Sequence, residues 1–554
     1  MFRRLPLLLA ALFGFAGSGT AETLIAPALG AATNLSQGVQ PGLVDLTRAV
    51  GLTQLRDGMN WGRVETAKGR YAFATPRTRF PDVIAQAGST VTIVTNWGNP
   101  LYDDGDTPHS AEALEALTGY TAAMVDRFPA IDGIEVGNEF NGVNFVRGPL
   151  KDMPPLQRAR AYVPMLRAGF NGVKEAKPDL RVLGGATHSL PGGYLWEIMD
   201  HGGADYMDAL AVHPYTTPAE QFVRQMKVLR RHPALARLPV EITEFGTPGA
   251  MRAPGHMLRN YCQFALGDVA RAVWFPGNLR GEKMAPLFTP AGQITPAGLT
   301  FRLISERMAG RDVSDASDDD FTYGCQFGED VAVLWGAQRK LTLGEDITAL
   351  DATGQAIAAP AMLDPVTPVV LVSQGGAVKD GVTLGPQKLE ADSFHQFVYP
   401  QEDELQAQGD SFARFARKAG QIIPLMTLPG QERSGVPWFP YRGHPDHRDI
   451  RLTADSLLPG TDKDIVHRYT ATSEKTLHLR ADFTAEGRSE DGILVTVTLR
   501  DELLFSGAGR AQEKILINLP DLQFQAGDML EISVNDNGTP KGDVSKYRIS
   551  LATD

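Results

Sequence analysis

Between residues 22 and 310, short apolar runs alternate with longer amphipathic stretches, and this alternation limits the folds open to the chain. Parallel strands need helical crossovers, so the pattern predicts an α/β fold, a (β/α)8 TIM barrel over residues 22–310. A doubly wound open sheet is the competing topology, but no Gly-rich phosphate-binding turn follows an early strand. The eight predicted strands are residues 28–33, 52–59, 90–95, 133–136, 181–185, 209–213, 239–243 and 270–275.

Beyond residue 310 the pattern changes to short alternating runs separated by turns, which is typical of antiparallel sheets. We predict a small β-sandwich over residues 311–400, a polar linker over 401–420 and a second β-sandwich over 421–554. The last unit is a candidate carbohydrate-binding module that is separable from the barrel. The competing role is closure over the barrel mouth. Its Asn535-Asp536-Asn537-Gly538 segment has oxygen ligands suited to calcium, although a polar turn is the favoured interpretation.

The first 21 residues have the three parts of an export signal. Arg3 and Arg4 precede an apolar core over residues 5–15, and Gly19-Thr20-Ala21 offers small residues for cleavage. A membrane anchor is the alternative, but the core is shorter than the ~20 residues that a spanning helix needs. We therefore expect a signal peptide over residues 1–21 and an exported protein, periplasmic or extracellular, without a membrane span.

Charge and cysteine content bear on partners and cofactors. The net charge of -12 argues against nucleic acid as a partner, because nucleic-acid-binding domains are usually basic. The two cysteines, Cys262 and Cys325, form no metal-binding cluster. A disulfide between them is possible in an oxidising compartment, but two separate buried thiols are the favoured interpretation.

Two of the predicted strands lead into the same pattern, a Glu followed by Phe and turn residues. Gly137-Asn138-Glu139-Phe140 follows the fourth strand, and Thr243-Glu244-Phe245-Gly246 ends the seventh. Active sites of (β/α)8 barrels lie at the C-terminal ends of the strands, so both carboxylates should meet at one mouth. A single Glu at a strand end is more often a cap or an ion-pair partner. A facing pair is what hydrolysis of a glycosidic bond requires.

These two motifs resemble the acid/base and nucleophile motifs of the retaining glycoside hydrolases of clan A. The resemblance covers the barrel and implies Glu139 as acid/base, Glu244 as nucleophile and Asn138 as a ligand of the sugar 2-hydroxyl. Within the clan, the chain is most similar to family 39, whose early motif resembles Trp61-Gly62-Arg63-Val64-Glu65 and the residues at 68–73. That family includes xylosidases, iduronidases and hydrolases of bacterial biofilm polysaccharide.

Two further strand ends fit positions of the clan that surround the nucleophile. Arg56 ends the second strand, where the clan has an Arg that binds the nucleophile and keeps it ionised. A structural ion pair is the alternative for Arg56. His213 and Tyr215 follow the sixth strand, where the clan has residues that contact the nucleophile or the sugar. His213 is alternatively a hydrogen-bonded core residue.

Three tryptophans are candidate sugar contacts. Trp61 follows the second strand, Trp97 the third, and Trp274 lies on the eighth, where the clan commonly has a platform beneath the sugar. For Trp61 and Trp97, a position in the hydrophobic core is an equally good interpretation as a sugar contact.

The sequence thus predicts an exported retaining glycoside hydrolase that cleaves an oligo- or polysaccharide by double displacement through a covalent glycosyl-enzyme. This chemistry needs no metal and no organic cofactor. A glycan-binding protein on an inactive hydrolase barrel is one alternative, and an accessory protein of polysaccharide secretion is another. No motif identifies the sugar or the linkage.

Overall fold

The structure is a computed structural model that describes residues 23–38, 42–279 and 282–553. The predicted signal peptide, residues 1–21, lies outside the described residues. Eight parallel strands form a closed barrel, in which each strand pairs with the next along the chain and the eighth pairs with the first. The predicted fold class is therefore confirmed. The strands, named β1 to β8, are Ala28–Ala32, Gln54–Gly58, Thr90–Thr95, Ile131–Val136, Arg181–His188, Ala209–His213, Val240–Phe245 and Val269–Trp274.

Helices follow the barrel strands and cover the barrel. The helix after β4 approaches it closely because Gly169 has no side chain, and a Cβ there would lie 2.7 Å from Val136 Cγ2. From the same helix, the Tyr162 hydroxyl donates to the Val136 carbonyl over 2.6 Å, which holds the end of β4. The helices that cover the barrel, named α1 to α8, are Leu43–Ala49, Phe80–Gln86, Ala111–Arg127, Pro155–Ala176, Gly192–Asp200, Ala219–Leu229, Ala253–Leu266 and Pro296–Arg307. A further short helix, Trp61–Val64, lies between β2 and α2. No helix of the described ranges is long and apolar enough to cross a membrane.

The next unit is a six-stranded antiparallel sheet with a short two-stranded companion, Leu341–Leu343 with Val382–Leu384. Its edge strand is Leu24–Ile25, from the chain that enters the barrel. The other five strands, in sheet order, are Asp312–Asp315, Thr322–Phe327, Val331–Gly336, Val369–Ser373 and Ile347–Leu350.

A disulfide joins this unit to the barrel. Cys262 on α7 is bonded to Cys325 on the strand Thr322–Phe327, with Cα atoms 5.7 Å apart. The expectation of two separate thiols is therefore wrong. Helix α7 packs directly on this sheet, and that packing brings two residues distant in sequence to the separation a disulfide needs.

The C-terminal unit is a sandwich of two antiparallel sheets. One sheet contains, in order, Gln421–Pro424, Phe412–Lys418, Asp464–Thr470, Met529–Asn535, Ile493–Leu499 and Glu502–Gly509. The other contains Met426–Leu428, Tyr441–Gly443, Arg451–Leu452, Ser456–Leu458, Ser545–Ala552, Lys475–Ala485 and Lys514–Phe524, with Leu389–Asp392 also paired to Ser545–Ala552. The strand Phe412–Lys418 lies inside the predicted linker, so the linker prediction is wrong over its second half: apolar residues there fill the sandwich core.

Candidate active site

A cavity of about 1160 Å³ opens at the C-terminal end of the barrel strands, where the motifs predicted a site. Residues that end or follow the barrel strands line it, among them Arg56, Asn138, Glu139, Tyr215 and Glu244. The structure thus brings together side chains that the sequence analysis selected from four different strands.

The two carboxylates face each other at this mouth. Glu244 lies on β7, whereas Glu139 follows β4 in a tight turn that begins at Gly137 with φ 84°. Glu139 itself has φ 48°, and its N–H donates to the Ala186 carbonyl on β5. A carboxylate oxygen of Glu139 lies within 4.8 Å of one of Glu244. Strained backbone of this kind is found where a side chain must be aimed, and here it directs Glu139 into the cavity.

Arg56 on β2 holds the nucleophile candidate. Its Nη1 donates to Glu244 Oε1 over 2.7 Å, and its Nη2 donates to Asn138 Oδ1 over 3.1 Å. Burial alone would lower the pKa of this guanidinium, but the charges of Glu135 and Glu244 outweigh burial and raise it. Tyr215 completes the arrangement, since its hydroxyl donates to Glu244 Oε2 over 3.0 Å.

Glu135 is a third carboxylate that the sequence analysis did not select. It is fully buried near the end of β4 and accepts Arg56 Nε over 2.6 Å and Arg56 Nη2 over 2.9 Å. Burial opposes its ionisation, but the charge of Arg56 and the hydrogen bond and charge of His213 lower the pKa of Glu135 to about 2. A carboxylate within the apolar run 133–136, two residues before the motif Gly137-Asn138-Glu139-Phe140, was the available signal.

His213 is buried and contacts the carboxylates rather than the cavity. Its Nδ1 lies 3.1 Å from Glu139 Oε1, and its Nε2 lies 3.0 Å from Thr243 Oγ1. Thr243 donates its own hydroxyl to Glu135, so both ring nitrogens are placed to donate. Burial lowers the pKa of His213, but Glu244, Glu135 and Glu139 together raise it to about 9. His213 Nδ1 also lies 3.9 Å from Glu244 Oε2, so of the two contacts expected at this position, the nucleophile or the sugar, this buried ring is placed for the nucleophile.

An acid catalyst needs a carboxyl group with a raised pKa, whereas the pKa of Glu139 is lowered. Burial raises the pKa of Glu139, but the hydrogen bond and charge of His213, followed by the charges of His188 and Arg56, lower it overall. His213 Nδ1 and Glu139 Oε1 are 3.1 Å apart, so a single hydrogen bond joins the imidazole to the carboxyl group.

The three tryptophans have different environments. Trp97 is 37% exposed and lines the cavity, beside Phe145. Trp61 is stacked between Tyr102 and Tyr120, with ring centroids 5.5 Å away on each side. Its indole N–H donates to Glu65, so this segment builds core rather than a sugar contact.

Trp274 is also fully buried, and its indole N–H donates to the Ala285 carbonyl over 2.9 Å. The substrate-binding predictions for Trp61 and Trp274 are therefore wrong. Phe275, the next residue after Trp274, lines the cavity in its place.

The C-terminal sandwich reaches this mouth through residues 429–439. Gln431 is buried and exchanges two hydrogen bonds with Asn141: Asn141 Nδ2 donates to Gln431 Oε1 over 2.9 Å, and Gln431 Nε2 donates to the Asn141 carbonyl over 2.8 Å. Trp438 packs edge-on against the cavity residue His188, with ring centroids 5.7 Å apart. Gly192 and Gly193, at the start of α5, donate to the Pro429 and Gly430 carbonyls. The C-terminal unit thus contacts and supports the loop that carries Glu139.

Glu139, His213 and Glu244 have the spacing of a metal site, with ligand atoms within 4.8 Å of one another. The charges do not suit a cation. Arg56 already places a fixed positive charge 2.7 Å from Glu244, and His213 holds a proton where a metal ligand must be neutral. The arrangement fits acid–base chemistry better than metal binding.

No family model and no curated protein matches the chain. Among solved structures, a family 39 glycoside hydrolase from Bacteroides cellulosilyticus WH2 is similar, with 18% identity, 63% of this chain and 81% of that chain covered, and a TM-score of 0.53. A family 39 β-xylosidase from Caulobacter crescentus has 14% identity, 64% and 98% coverage and a TM-score of 0.47. The family 39 enzyme from Xanthomonas axonopodis pv. citri has 13% identity, 92% and 94% coverage and a TM-score of 0.43.

The first of these likenesses shows a shared fold, which agrees with the motif resemblance to clan A. A shared fold does not define an activity, so function is argued from the site.

Proposed function

We propose that this chain is an exported retaining glycoside hydrolase that cleaves an oligo- or polysaccharide. The observation that carries the proposal is the approach of the Glu139 and Glu244 carboxylates to within 4.8 Å. Retaining enzymes have the two groups ≈ 5–5.5 Å apart, whereas inverting enzymes leave ≈ 6.5–9.5 Å for a water between them. The short spacing favours direct attack by a carboxylate.

In the first step, Glu244 attacks the anomeric carbon while Glu139 protonates the leaving oxygen, which gives a covalent glycosyl-enzyme and a free alcohol. Arg56 and Tyr215 each donate to one oxygen of Glu244 and so hold the carboxylate in a fixed orientation. Arg56 also binds Asn138 Oδ1, which leaves the amide NH2 to donate to the sugar 2-hydroxyl.

The proton for this step comes from the His213–Glu139 pair. Sugar binding excludes water and makes a neutral carboxyl more favourable, so the proton crosses the 3.1 Å hydrogen bond from His213 Nδ1 to Glu139 Oε1 and then to the leaving oxygen. In the second step, Glu139 takes a proton from the attacking water. The ester is cleaved with retained configuration, and the returned proton restores the pair.

The direct test follows the anomeric configuration of the first product by NMR during hydrolysis of an aryl glycoside identified in a substrate panel. We expect the product to keep the configuration of the substrate, and a 2-fluoro glycoside to label Glu244 covalently, as detected by peptide mass. Inverted product would contradict the mechanism. Hydrolysis of no glycoside or bacterial polysaccharide would favour the accessory-protein alternative.

We further infer that the C-terminal sandwich completes this site rather than acting as a separable module. The support is the Gln431–Asn141 pair, two residues from Glu139, together with the position of Trp438 beside His188. A chain that ends at Pro400 should lose turnover even of a small aryl glycoside. Undiminished turnover by that truncated chain would restore the interpretation of an independent binding module.

A further inference from the structure

Trp438, from the C-terminal sandwich, lies at the rim of the cavity on the side of Glu139. Its ring meets the ring of His188, a residue that lines the cavity, edge-on, with an angle of 85° between the two planes. A Cβ on Gly142, three residues after Glu139, would lie 3.5 Å from Trp438 Cη2. The six-membered ring of the indole therefore contacts the loop that carries the acid/base candidate.

Trp438 and Trp97 differ from the other four tryptophans in exposure and in hydrogen bonding. Trp438 is 36% exposed and Trp97 is 37% exposed, and neither indole N–H donates to an acceptor among the described residues. Acceptors inside the protein are bound by the N–H groups of the other four, Trp61, Trp196, Trp274 and Trp335. An exposed indole beside a cleft can stack on the apolar C–H face of a pyranose, and its N–H can donate to a hydroxyl.

The segment that carries Trp438 is fixed in position by its own hydrogen bonds. The Gln431 N–H donates to the Pro437 carbonyl over 2.8 Å, and the Gln431 side chain is bonded to the loop after β4. Gly430 has φ 85°, and a Cβ there would lie 2.4 Å from the Phe439 carbonyl oxygen, so this close crossing of the chain requires glycine. An aromatic surface held in this way loses little conformational entropy when a sugar binds to it.

The two carboxylates indicate which sugar of the substrate meets Trp438. The sugar that Glu244 attacks lies beside Asn138, whose amide faces the 2-hydroxyl in the proposed mechanism. The leaving oxygen must lie at Glu139, because this residue supplies its proton. A sugar that leaves with that oxygen therefore lies on the outer side of Glu139, where Trp438 contacts the loop at Gly142.

We propose that Trp438 binds the sugar residue on the leaving-group side of the cleaved bond, with the apolar face of that pyranose stacked on the indole. This inference rests on the proposed function and deepens it. The substrate then has at least one sugar residue as its leaving group, which defines it as an oligo- or polysaccharide rather than a simple alkyl or aryl glycoside. A domain outside the barrel supplies part of the specificity.

The first test compares two leaving groups on one sugar, the sugar whose aryl glycoside is hydrolysed in the substrate panel. Its glycosyl fluoride has a single-atom leaving group that cannot stack, whereas its oligosaccharides, from disaccharide to hexasaccharide, leave with a sugar. In Trp438→Ala, the ratio of kcat/KM on the oligosaccharides to kcat/KM on the fluoride should fall about ten-fold, the size of one aromatic stacking contact. Trp438→Leu, which keeps an apolar side chain without a ring, should give the same fall and replaces Trp438→Ala if that variant does not fold.

Leu516→Ala is the matched control. Leu516 is 66% exposed on the strand Lys514–Phe524, which lies at the opposite edge of its sheet from Met426–Leu428, the strand that leads into residues 429–439. The ratio should be unchanged in this variant. An equal loss on fluoride and oligosaccharides in Trp438→Ala would mean that Trp438 only supports the loop of Glu139, and it would overturn the proposal. An unchanged ratio in a folded Trp438→Ala would overturn it as well.

The second test measures binding and needs no turnover. In the Glu244→Gln background, calorimetric titration with the same oligosaccharides should give a dissociation constant about ten-fold higher with Trp438→Ala than without it. If no glycosyl donor is hydrolysed, the proposed function fails, and titration with fragments of the bacterial polysaccharides that the unchanged chain binds decides the role of Trp438. Binding of unchanged strength in Trp438→Ala, or no binding of any fragment, would overturn the proposal. The two proposals therefore fail on different measurements.

Discussion

The barrel interior contains two ionic clusters built from similar residues, and they differ in how their charges balance. The cluster at the N-terminal end joins Asp132 on β4 to Arg271 on β8, directly across the barrel, over 3.0 Å. Arg181 reaches Glu241 over 2.8 Å beside them. Two arginines thus face two carboxylates, and none of the four lines the cavity.

The cluster at the C-terminal end has more negative charge and opens into the cavity. Glu135 and Glu244 share a single arginine, Arg56, whereas Glu139 contacts His213, which supplies the remaining positive charge when protonated. A balanced buried cluster can only hold strands together. A cluster in which part of the positive charge is a movable proton can also transfer that proton, and this difference distinguishes the two ends of the barrel.

The largest expected effect is that of Glu244→Gln, which removes the attacking carboxylate at nearly constant volume. We expect a loss of about 10⁴-fold or more in kcat, as for other covalent nucleophiles, with an unchanged unfolding temperature. Rates on an aryl glycoside, alongside circular dichroism melting, measure both. Near-normal turnover in the folded variant would remove Glu244 from the nucleophile role.

Glu139→Ala should slow glycosides with poor leaving groups by about 10²–10⁴-fold and activated aryl glycosides much less, because good leaving groups need no proton. Azide should restore the second step and give a glycosyl azide of retained configuration. Comparison of kcat/KM across leaving groups of graded acidity measures the effect. An equal loss across that series, without azide rescue, would argue against the acid/base role.

Asp132→Asn changes the cluster at the N-terminal end of the barrel, and it should lower stability while leaving turnover nearly unchanged. Loss of this carboxylate leaves Arg271 and Arg181 under-compensated, so we expect a loss of about 2–3 kcal/mol in unfolding free energy, discounted for the partial exposure of Asp132. Turnover of the folded enzyme should stay within about two-fold, since catalysis does not use this end. Urea unfolding measures the stability and aryl glycoside rates measure the turnover. A large loss of kcat with normal stability would show that the two clusters do not differ in the way described.

Because of His213, the unfolding free energy should decrease as the pH becomes alkaline. Its pKa is raised from 6.5 to about 9 on folding, so its contribution is fully present below pH 6.5 and is lost as pH rises through 9. That shift corresponds to at most about 3 kcal/mol. The decline in unfolding free energy between pH 6.5 and 9 should be much reduced in His213→Gln. A decline of unchanged size in that variant would mean that another group titrates.

The smallest expected effect is that of chelation on catalysis. EDTA should leave the rate on a small aryl glycoside unchanged at 25 °C, because Arg56 and His213 supply the positive charge of the cleft. A rate that falls with EDTA and returns with added metal would assign a metal ion to Glu139, His213 and Glu244.

The local sequence pattern was sufficient to predict the barrel and to select the two catalytic candidates, Glu139 and Glu244. Strand periodicity depends on neighbouring residues, and each Glu follows its own apolar run, so position along the chain already places Glu139 and Glu244 at the same mouth. Arg56, Asn138 and Tyr215 also end or follow strands, but the resemblance to clan A, rather than local pattern, selected them. The export signal and the sugar remain predictions from sequence alone.

Only the tertiary structure decided which side chains are buried and what they contact. Trp61 and Trp97 occupy equivalent places after their strands, yet one is stacked in the core and the other lines the cavity. The contacts of Glu135 and Gln431 and the Cys262–Cys325 bond each depend on a partner distant in the chain. Periodicity assigns a residue to an element and a face, but burial, pairing and charge balance arise where elements meet, and that information is not local.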